Sequence, residues 1–189
     1  MKTIKKRLII FMPSMEGGGV EKNIIIITNY LSKFIDNIEL ITFDDKFNRF
    51  FNKKVKIINF RKYTKTKINK YFKYFTCLTL LIKRMMVKEK TFIFAFQANV
   101  YCILLALLFN KRIITRSNSS PSGWSNSLIK NLIFKILFKY PYKIIVNSKN
   151  FRKEFFKRFN IYPKMIYNPV NKSEILSKAK EKINDSFFS

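Results

Sequence analysis

Short apolar runs alternate along the chain with segments in which apolar residues recur at the spacing of a helix. The runs predict seven strands, at residues 8–12, 39–43, 55–60, 92–96, 112–116, 143–147 and 164–167. Most runs lack a strict alternation of apolar and polar residues, which is typical of parallel strands covered on both faces. The repeated strand–helix units therefore predict an α/β fold with a doubly wound, mostly parallel, Rossmann-like sheet.

Three of the helices between these strands show an apolar stripe that we expect to be buried. The first stripe comprises Val20, Ile24, Ile27, Leu31 and Phe34. The second comprises Leu128, Leu132, Ile136 and Leu137, and the third comprises Phe151, Phe155 and Phe159. Ser148 is expected to cap the third helix, because a serine oxygen can accept a hydrogen bond from a free amide of the first turn.

The segment 61–90 differs from the rest because basic and aromatic residues crowd its first half. Apolar residues recur there at helical spacing, at Ile68, Tyr71, Phe75, Ile82 and Met85. Lysines stand among the tyrosines, at Lys62, Lys65, Lys67, Lys70 and Lys73. Such a composition is typical of an amphipathic helix that lies on a membrane surface. The alternative is a solvated helix that packs an ordinary apolar face on the sheet.

The segment 91–110 carries no charge and is flanked by Lys90 and Lys111. It is long enough to span a bilayer, for which about 20 residues are needed. We favour a strand followed by a helix at 100–109, because Gln97 and Asn99 would be costly in lipid and aromatic residues enrich the first half.

The composition is strongly basic, with 38 Lys and Arg against 11 Asp and Glu and a net charge of +27. Such an excess attracts polyanions, either nucleic acid or anionic lipid. A compositional drift of the genome toward lysine would produce the same excess without any binding role, so charge alone does not decide between them.

Histidine is absent, which excludes most hydrolase triads and histidine-based zinc sites. Cys77 and Cys102 are isolated in apolar segments. They are therefore expected to be buried, reduced thiols of a cytoplasmic protein.

Three of the four glycines stand together, at Gly17, Gly18 and Gly19, between the first predicted strand and the first predicted helix. Glycine lets the backbone amides of such a loop approach an anionic ligand at the positive end of the helix. A dinucleotide fingerprint is a weak match, because Lys22 occupies the place of its third glycine, and a Walker loop is excluded because no Gly-Lys-Ser/Thr occurs. The alternative is a plain tight turn.

This glycine loop, together with residues 21–23 and 29–31 of the predicted helix that follows it, resembles the start of family 4 glycosyltransferases, which are retaining enzymes of the GT-B fold. Three later segments fit the same pattern in order: Arg116-Ser117-Asn118 after the fifth strand, the strand-to-helix step at 144–148, and the junction at 166–171. The resemblance covers nearly the whole chain.

The resemblance implies roles for particular residues, although it assigns no catalytic residue. Gly17, Gly18 and Gly19 would lie in a cleft near the donor pyrophosphate and the acceptor. Glu21 would sit in the first helical turn, where a capping role is the alternative. Arg116 would point toward an anionic group, with a surface cation at the strand end as the alternative. Three more residues at predicted strand ends complete the substrate-binding candidates: Asn99, Ser117 and Asn118.

The function implied is that of a retaining hexosyltransferase acting in surface polysaccharide or lipopolysaccharide assembly. It would pass a sugar from a nucleotide sugar to a lipid-linked or saccharide acceptor, without metal or other cofactor, at the cytoplasmic face of an anionic membrane. Residues 1–170 would form the acceptor-binding domain and 171–189 a linker to a missing donor-binding domain, so the chain would be incomplete alone. The alternative is a basic nucleic-acid-binding module without catalytic activity, and no nucleic-acid partner is expected in the favoured interpretation.

Overall fold

The computed structural model describes residues 4–125 and 127–180, and within them seven strands form one all-parallel sheet. The strands are β1 (Ile4–Phe11), β2 (Ile35–Asp44), β3 (Val55–Arg61), β4 (Thr91–Ala95), β5 (Arg112–Ser117), β6 (Lys143–Val146) and β7 (Lys164–Met165). Their order is β3-β2-β1-β4-β5-β6-β7, so the direction of winding reverses between β1 and β4. All seven predicted strands and the predicted Rossmann-like fold are confirmed.

Six helices accompany the sheet in the described ranges: α1 (Gly19–Leu31), α2 (Lys70–Met85), α3 (Asn99–Leu108), α4 (Leu128–Leu137), α5 (Lys149–Phe159) and α6 (Lys172–Lys178). The uncharged segment 91–110 is strand β4 followed by α3, as predicted. Across the described residues, every helix falls short of the length and apolar character needed to cross a bilayer. Of the predicted linker 171–189, positions 181–189 lie outside the described residues.

The core has two parts because successive strand residues point to opposite faces of the sheet. In β1, Ile9 and Phe11 face the side covered by α2, α3 and α5, while Leu8 and Ile10 face the side covered by α1. All four are buried, as expected for a strand in the middle of a parallel sheet.

Helix α5 follows the sequence prediction closely. The Ser148 hydroxyl accepts a hydrogen bond from the Phe151 amide at 3.1 Å, and Phe155 and Phe159 are fully buried. The cap and the buried stripe are therefore confirmed.

The buried stripe predicted for α4 is wrong. Leu128, Leu132 and Ile136 are exposed, and only Leu137 of the four is buried. The helix packs against α3 and α5 rather than lying flat on the sheet. Its inward side is set by Phe134 and Phe138, which pack around the ring of Trp124. These aromatic contacts fix which side of the helix faces inward.

Helix α2 is shorter than the predicted segment and packs against β2 through Cys77, Leu81 and Met85. Of the predicted apolar stripe, Met85 faces the core, whereas Tyr71 and Phe75 face solvent. Both cysteines are buried and free, as predicted. Burial raises the pKa of the Cys77 thiol to about 12 and also raises the pKa of Cys102.

A buried ion pair lies toward the amino ends of the central strands. The Arg7 Nη2 atom is 2.8 Å from Glu39 Oε2, and Arg84 Nε lies 3.6 Å from the same oxygen. Arg7 Nη1 also donates to the carbonyl of Arg84 at 3.1 Å. The carboxylate of Glu89 lies 3.9 Å from Arg7 Nη1 on the other side. Arg7 is thus paired with carboxylates from within the chain, and its bond to the Arg84 carbonyl ties the end of α2 to the sheet.

Candidate ligand site at the carboxyl edge of the sheet

The predicted site residues all lie at one edge of the sheet, where the carboxyl ends of β1, β4 and β5 meet. In open parallel sheets, ligands bind outside this edge at the point where the strand order reverses. Two cavities open there. The first, which we call the glycine pocket, has a volume of about 680 Å³, and the second, which we call the α3 pocket, has a volume of about 390 Å³.

The glycine pocket is bounded by the loop between β1 and α1. Gly17 has a φ of +103°, a conformation that favours glycine, and Gly18 is the N-cap of α1 with no side-chain capping bond. Nothing lies within 4 Å of the position that a Cβ would occupy at Gly19. The N-cap of α1 thus has no side-chain hydrogen bond, and the loop leaves open space beside Gly19.

Glu21 lines the glycine pocket, but its carboxylate folds back onto the loop. Its Oε1 accepts a hydrogen bond from the Glu16 amide at 3.1 Å, and Oε2 lies 3.1 Å from the position of a Cβ at Gly18. The residue is almost fully buried. Its observed contact is therefore with the loop that leads into its own helix.

Two hydrogen bonds between Ser14 and Gln97 join the glycine loop to the segment that follows β4. Gln97 Oε1 accepts from the Ser14 amide and Gln97 Nε2 donates to the Ser14 carbonyl, both at 2.9 Å. This pair of bonds holds the glycine loop beside α3 and so keeps the two pockets adjacent.

The α3 pocket brings together the four other predicted site residues: Asn99, Arg116, Ser117 and Asn118. They come from the start of α3 and the end of β5, which are neighbours because β4 pairs with β5. Asn99 Nδ2 donates to the Arg116 carbonyl and Asn118 Nδ2 donates to the Phe96 carbonyl, both at 3.0 Å. The Oδ1 atoms of both asparagines are buried without a hydrogen-bond partner. The described residues thus supply no hydrogen-bond donor to these two amide oxygens.

Arg116 is the main electrostatic feature of the α3 pocket. It is only 1% exposed, and among the described residues no carboxylate lies within 4 Å of its guanidinium. Nη2 donates to Asn168 Oδ1 at 2.7 Å, whereas Nε is buried without a partner. Burial lowers the pKa of the guanidinium, which nevertheless stays charged at neutral pH. A buried cation without a carboxylate is costly unless an anion binds there.

The amino end of α3 points its dipole into the same pocket. Its N-cap, Ala98, makes no side-chain capping bond and adopts a left-handed conformation with φ of 53°. Non-glycine residues rarely adopt this conformation, and such strain is concentrated at functional sites. The helix end and Arg116 together produce a positive field suited to a phosphate group.

Asn168 connects the two pockets. It accepts the hydrogen bond from Arg116 in the α3 pocket and also lines the glycine pocket. In the sequence, Asn168 was noted only as part of the junction at 166–171 that fits the family pattern, so its bond to Arg116 adds a contact that the sequence did not reveal.

Several residues that line the two pockets were not among the predicted site residues. In the α3 pocket these are Lys70, Tyr74, Gln97 and Trp124, and in the glycine pocket they are Asn23, Phe47 and Asn168. Gln97 offered a signal, because it interrupts an apolar segment beside Asn99. Lys70 and Tyr74 offered none, because α2 reaches the pocket only through tertiary packing. Within the described residues, no group of three acidic, histidine or cysteine side chains is placed to hold a metal.

Comparison with protein-family models and with curated protein sequences finds no significant match. Solved structures do match. A glycosyltransferase from Rickettsia africae is 15% identical, with a TM-score of 0.63 over 95% of this chain and 47% of its own. HepE from Anabaena, solved with UDP and glucose, is 13% identical, with a TM-score of 0.58 over 92% of this chain and 49% of its own.

A third match is a UGT transferase from Siraitia grosvenorii, solved with UDP. It is 9% identical, with a TM-score of 0.53 over 93% of this chain and 55% of its own. The chain thus spans about half the length of the solved structures that it matches. It has the fold of one half of a GT-B glycosyltransferase.

Proposed function

We propose that this chain is the acceptor-binding half of a GT-B glycosyltransferase that uses a nucleotide sugar. The observation that carries the proposal is the pair of adjoining pockets at the point where the strand order of the half GT-B fold reverses. One of these pockets, the α3 pocket, holds the charge of Arg116, which has no carboxylate partner among the described residues. HepE has been solved with UDP-glucose, and this supports a nucleotide sugar as the substrate. The nucleic-acid alternative is not favoured, because the matching structures are glycosyltransferases.

The pockets would act by binding and by electrostatic stabilisation. The amides at the glycine loop and the guanidinium of Arg116 would stabilise negative charge on the phosphates of the substrates, including the charge that develops on a departing diphosphate. The free oxygens of Asn99 and Asn118 would accept hydrogen bonds from sugar hydroxyls and orient the acceptor. Both effects need only groups that the fold already holds in place.

The proposal also includes the type of reaction, the acceptor and the location in the cell. We infer a retaining, family 4-like reaction with a lipid-linked or saccharide acceptor, in the assembly of surface polysaccharide or lipopolysaccharide. The nucleotide and sugar of the donor would bind to a second Rossmann-like domain, either on the same chain beyond 171–180 or on a separate one, whereas its diphosphate would contact the two pockets described above. The enzyme would work at the cytoplasmic face of the cell membrane.

A titration of the isotope-labelled chain with UDP-glucose, followed by amide NMR, tests the proposal. At physiological ionic strength we expect saturable shifts at Gly17–Gly19, Arg116 and Asn168. Tripolyphosphate serves as the control for non-specific attraction by the basic surface. Shifts spread over surface lysines, equal for both ligands and abolished by salt, would contradict the proposal.

An activity measurement complements the titration. The chain alone, given UDP-glucose and a saccharide acceptor, is expected to transfer no sugar, because it spans about half the length of the glycosyltransferase structures that it matches. Transfer at an ordinary enzyme rate, about 1 per second or faster, would contradict the two-half interpretation.

A further inference from the structure

Helix α4 presents an apolar surface to solvent. Five of its aliphatic side chains are between 46% and 84% exposed: Leu128, Ile129, Leu132, Ile133 and Ile136. At about 100° per residue these positions fall within one arc of about 140° on the helix. This is too contiguous to be the scattered exposure that is normal for single apolar residues.

The rest of the helix fits an interfacial arrangement. Phe134, Leu137 and Phe138 face inward, so the apolar arc is not needed for folding. Lys135 is exposed and lies beside Leu128 at one border of the arc, and the exposed Lys130 lies about 60° beyond the other border, past Leu137. Because a long lysine side chain reaches sideways to a headgroup, such an apolar arc with flanking lysines is typical of a helix that lies in the plane of a membrane surface.

The neighbouring helix adds to this surface. Helix α3 contacts α4 and exposes Leu104, Leu107 and Leu108. Two helices thus offer aliphatic side chains on the same side of the sheet.

The charge distribution selects the partner. No aspartate or glutamate occurs between Glu89 and Glu154, an interval that contains both helices and many basic residues. Two copies of this chain would bring like charges together, which disfavours a dimer through this face. Nucleic acid would need aromatic side chains for stacking, whereas this arc is aliphatic. An anionic bilayer satisfies both the apolar arc and the lysines.

We propose that α4, with α3 beside it, docks the protein on an anionic lipid bilayer, with the aliphatic arc at the acyl boundary and Lys130 and Lys135 on the headgroup phosphates. The inference builds on the membrane location proposed above, but not on transferase activity. Phe134 and Phe138 line the α3 pocket from the inner side of α4. Docking would therefore hold that pocket about one helix diameter, roughly 10 Å, from the lipid.

Co-sedimentation with vesicles of phosphatidylcholine and phosphatidylglycerol tests the inference. Because any protein of charge +27 binds anionic vesicles at low salt, the informative measurement is made at ~1 M salt, where the Debye length is about 3 Å. The native chain is expected to stay bound there. The variant Leu128→Gln/Leu132→Gln/Ile136→Gln is expected to lose about 100-fold or more in affinity, because three aliphatic side chains no longer leave water.

The matched control is Tyr71→Gln/Phe75→Gln, which removes two exposed aromatic residues from α2. It is expected to bind vesicles at high salt as the native chain does, and both variants are expected to keep the native thermal unfolding midpoint. Loss of binding in the control but not in the α4 variant would assign the contact to α2 and overturn the inference.

Two other outcomes would also overturn it. Complete release of the native chain at high salt would reduce the contact to charge alone. A native dimer in analytical ultracentrifugation that dissociates in the α4 variant would assign the face to a second copy. UDP-glucose titration of the α4 variant separates this inference from the proposed function, because the pockets should respond as in the native chain.

Discussion

The two buried arginines, Arg7 and Arg116, lie toward opposite ends of the same sheet in opposite electrostatic situations. Arg7 lies 2.8 Å from the carboxylate of Glu39, and Arg84 shares that carboxylate. Arg116 is more deeply buried, yet its one side-chain hydrogen bond goes to the neutral amide of Asn168. Removing one partner of a buried ion pair is strongly destabilising, whereas a buried charge without a carboxylate partner marks a candidate site for an anionic ligand. The comparison therefore supports the proposal that Arg7 is structural and that Arg116 binds a ligand.

The largest expected effect is on the compensated side. Glu39→Gln would leave Arg7 buried with only the half-exposed carboxylate of Glu89, 3.9 Å away, as a counter-charge, so we expect the free energy of unfolding to fall by about 3–5 kcal/mol. Urea unfolding followed by circular dichroism measures this. Should the variant not fold, the double variant Arg7→Met/Glu39→Leu is expected to restore much of the loss, because both charges are removed together. A decrease below about 1 kcal/mol for the single variant would break the comparison.

The corresponding change at the other end should hardly affect folding. Arg116→Met removes a charge that nothing compensates, so we expect the free energy of unfolding to change by less than about 1 kcal/mol. Affinity for UDP-glucose or pyrophosphate, measured by calorimetry, should fall about 10–100-fold, as expected for the loss of a charge-assisted hydrogen bond. A stability loss as large as that of Glu39→Gln, with unchanged affinity, would make Arg116 structural.

The glycine loop offers a smaller effect with an internal control. Gly17→Ala is expected to lower the free energy of unfolding by about 1–2 kcal/mol, because alanine resists the φ of +103°. Gly19→Ala should leave stability unchanged, since its Cβ meets nothing within 4 Å, but it should weaken UDP-glucose binding by filling the pocket. Urea unfolding and NMR titration of both variants compare the two roles. Equal stability losses would show that the loop is merely a turn.

The smallest effect concerns a carboxylate in the same loop. The Ser14 hydroxyl donates to Glu16 Oε1 at 2.8 Å and holds the pKa of Glu16 below its usual value. Ser14→Ala should raise that pKa toward the usual value, as measured by NMR titration. A lowered carboxylate pKa stabilises the fold above the usual pKa, and this contribution is lost as pH falls through the lowered value. The stability difference between native and variant should therefore shrink in acid, and a constant difference would contradict the assignment.

The strands were predictable because each needs only a local run of apolar residues, and α5 was predictable because Ser148 and its phenylalanines act within one helix. For helix α4, by contrast, the prediction of a buried stripe from the local pattern was wrong. Its leucines recur at helical spacing, but the rings of Trp124, Phe134 and Phe138 decide which side faces inward. These contacts join residues of different elements, and a periodic pattern does not record them. The exposed arc on α4 is thus a property that the pattern alone assigned to the core.

The candidate site shows the same division. Asn99, Ser117 and Asn118 were predicted from their places at strand ends and Arg116 from the family resemblance. The sheet brings all four into one pocket because β4 and β5 are neighbours. Lys70 and Tyr74 reach that pocket from a helix whose packing no local signal reveals. The contact between Arg116 and Asn168 spans 52 residues and was not visible in either segment.

By itself, the sequence determined the succession of strands and helices, the glycine loop before α1 and the collection of polar segments at one edge of a parallel sheet. Those features follow from local hydrophobic pattern and from the rule that parallel strands end on the same side. Only the tertiary structure decided that Arg7 has a carboxylate partner, that Arg116 has none within the described part of the chain, and that α4 turns Leu128 and Leu132 outward. Burial and charge compensation depend on which distant residues pack together, and this is a property of the folded chain alone.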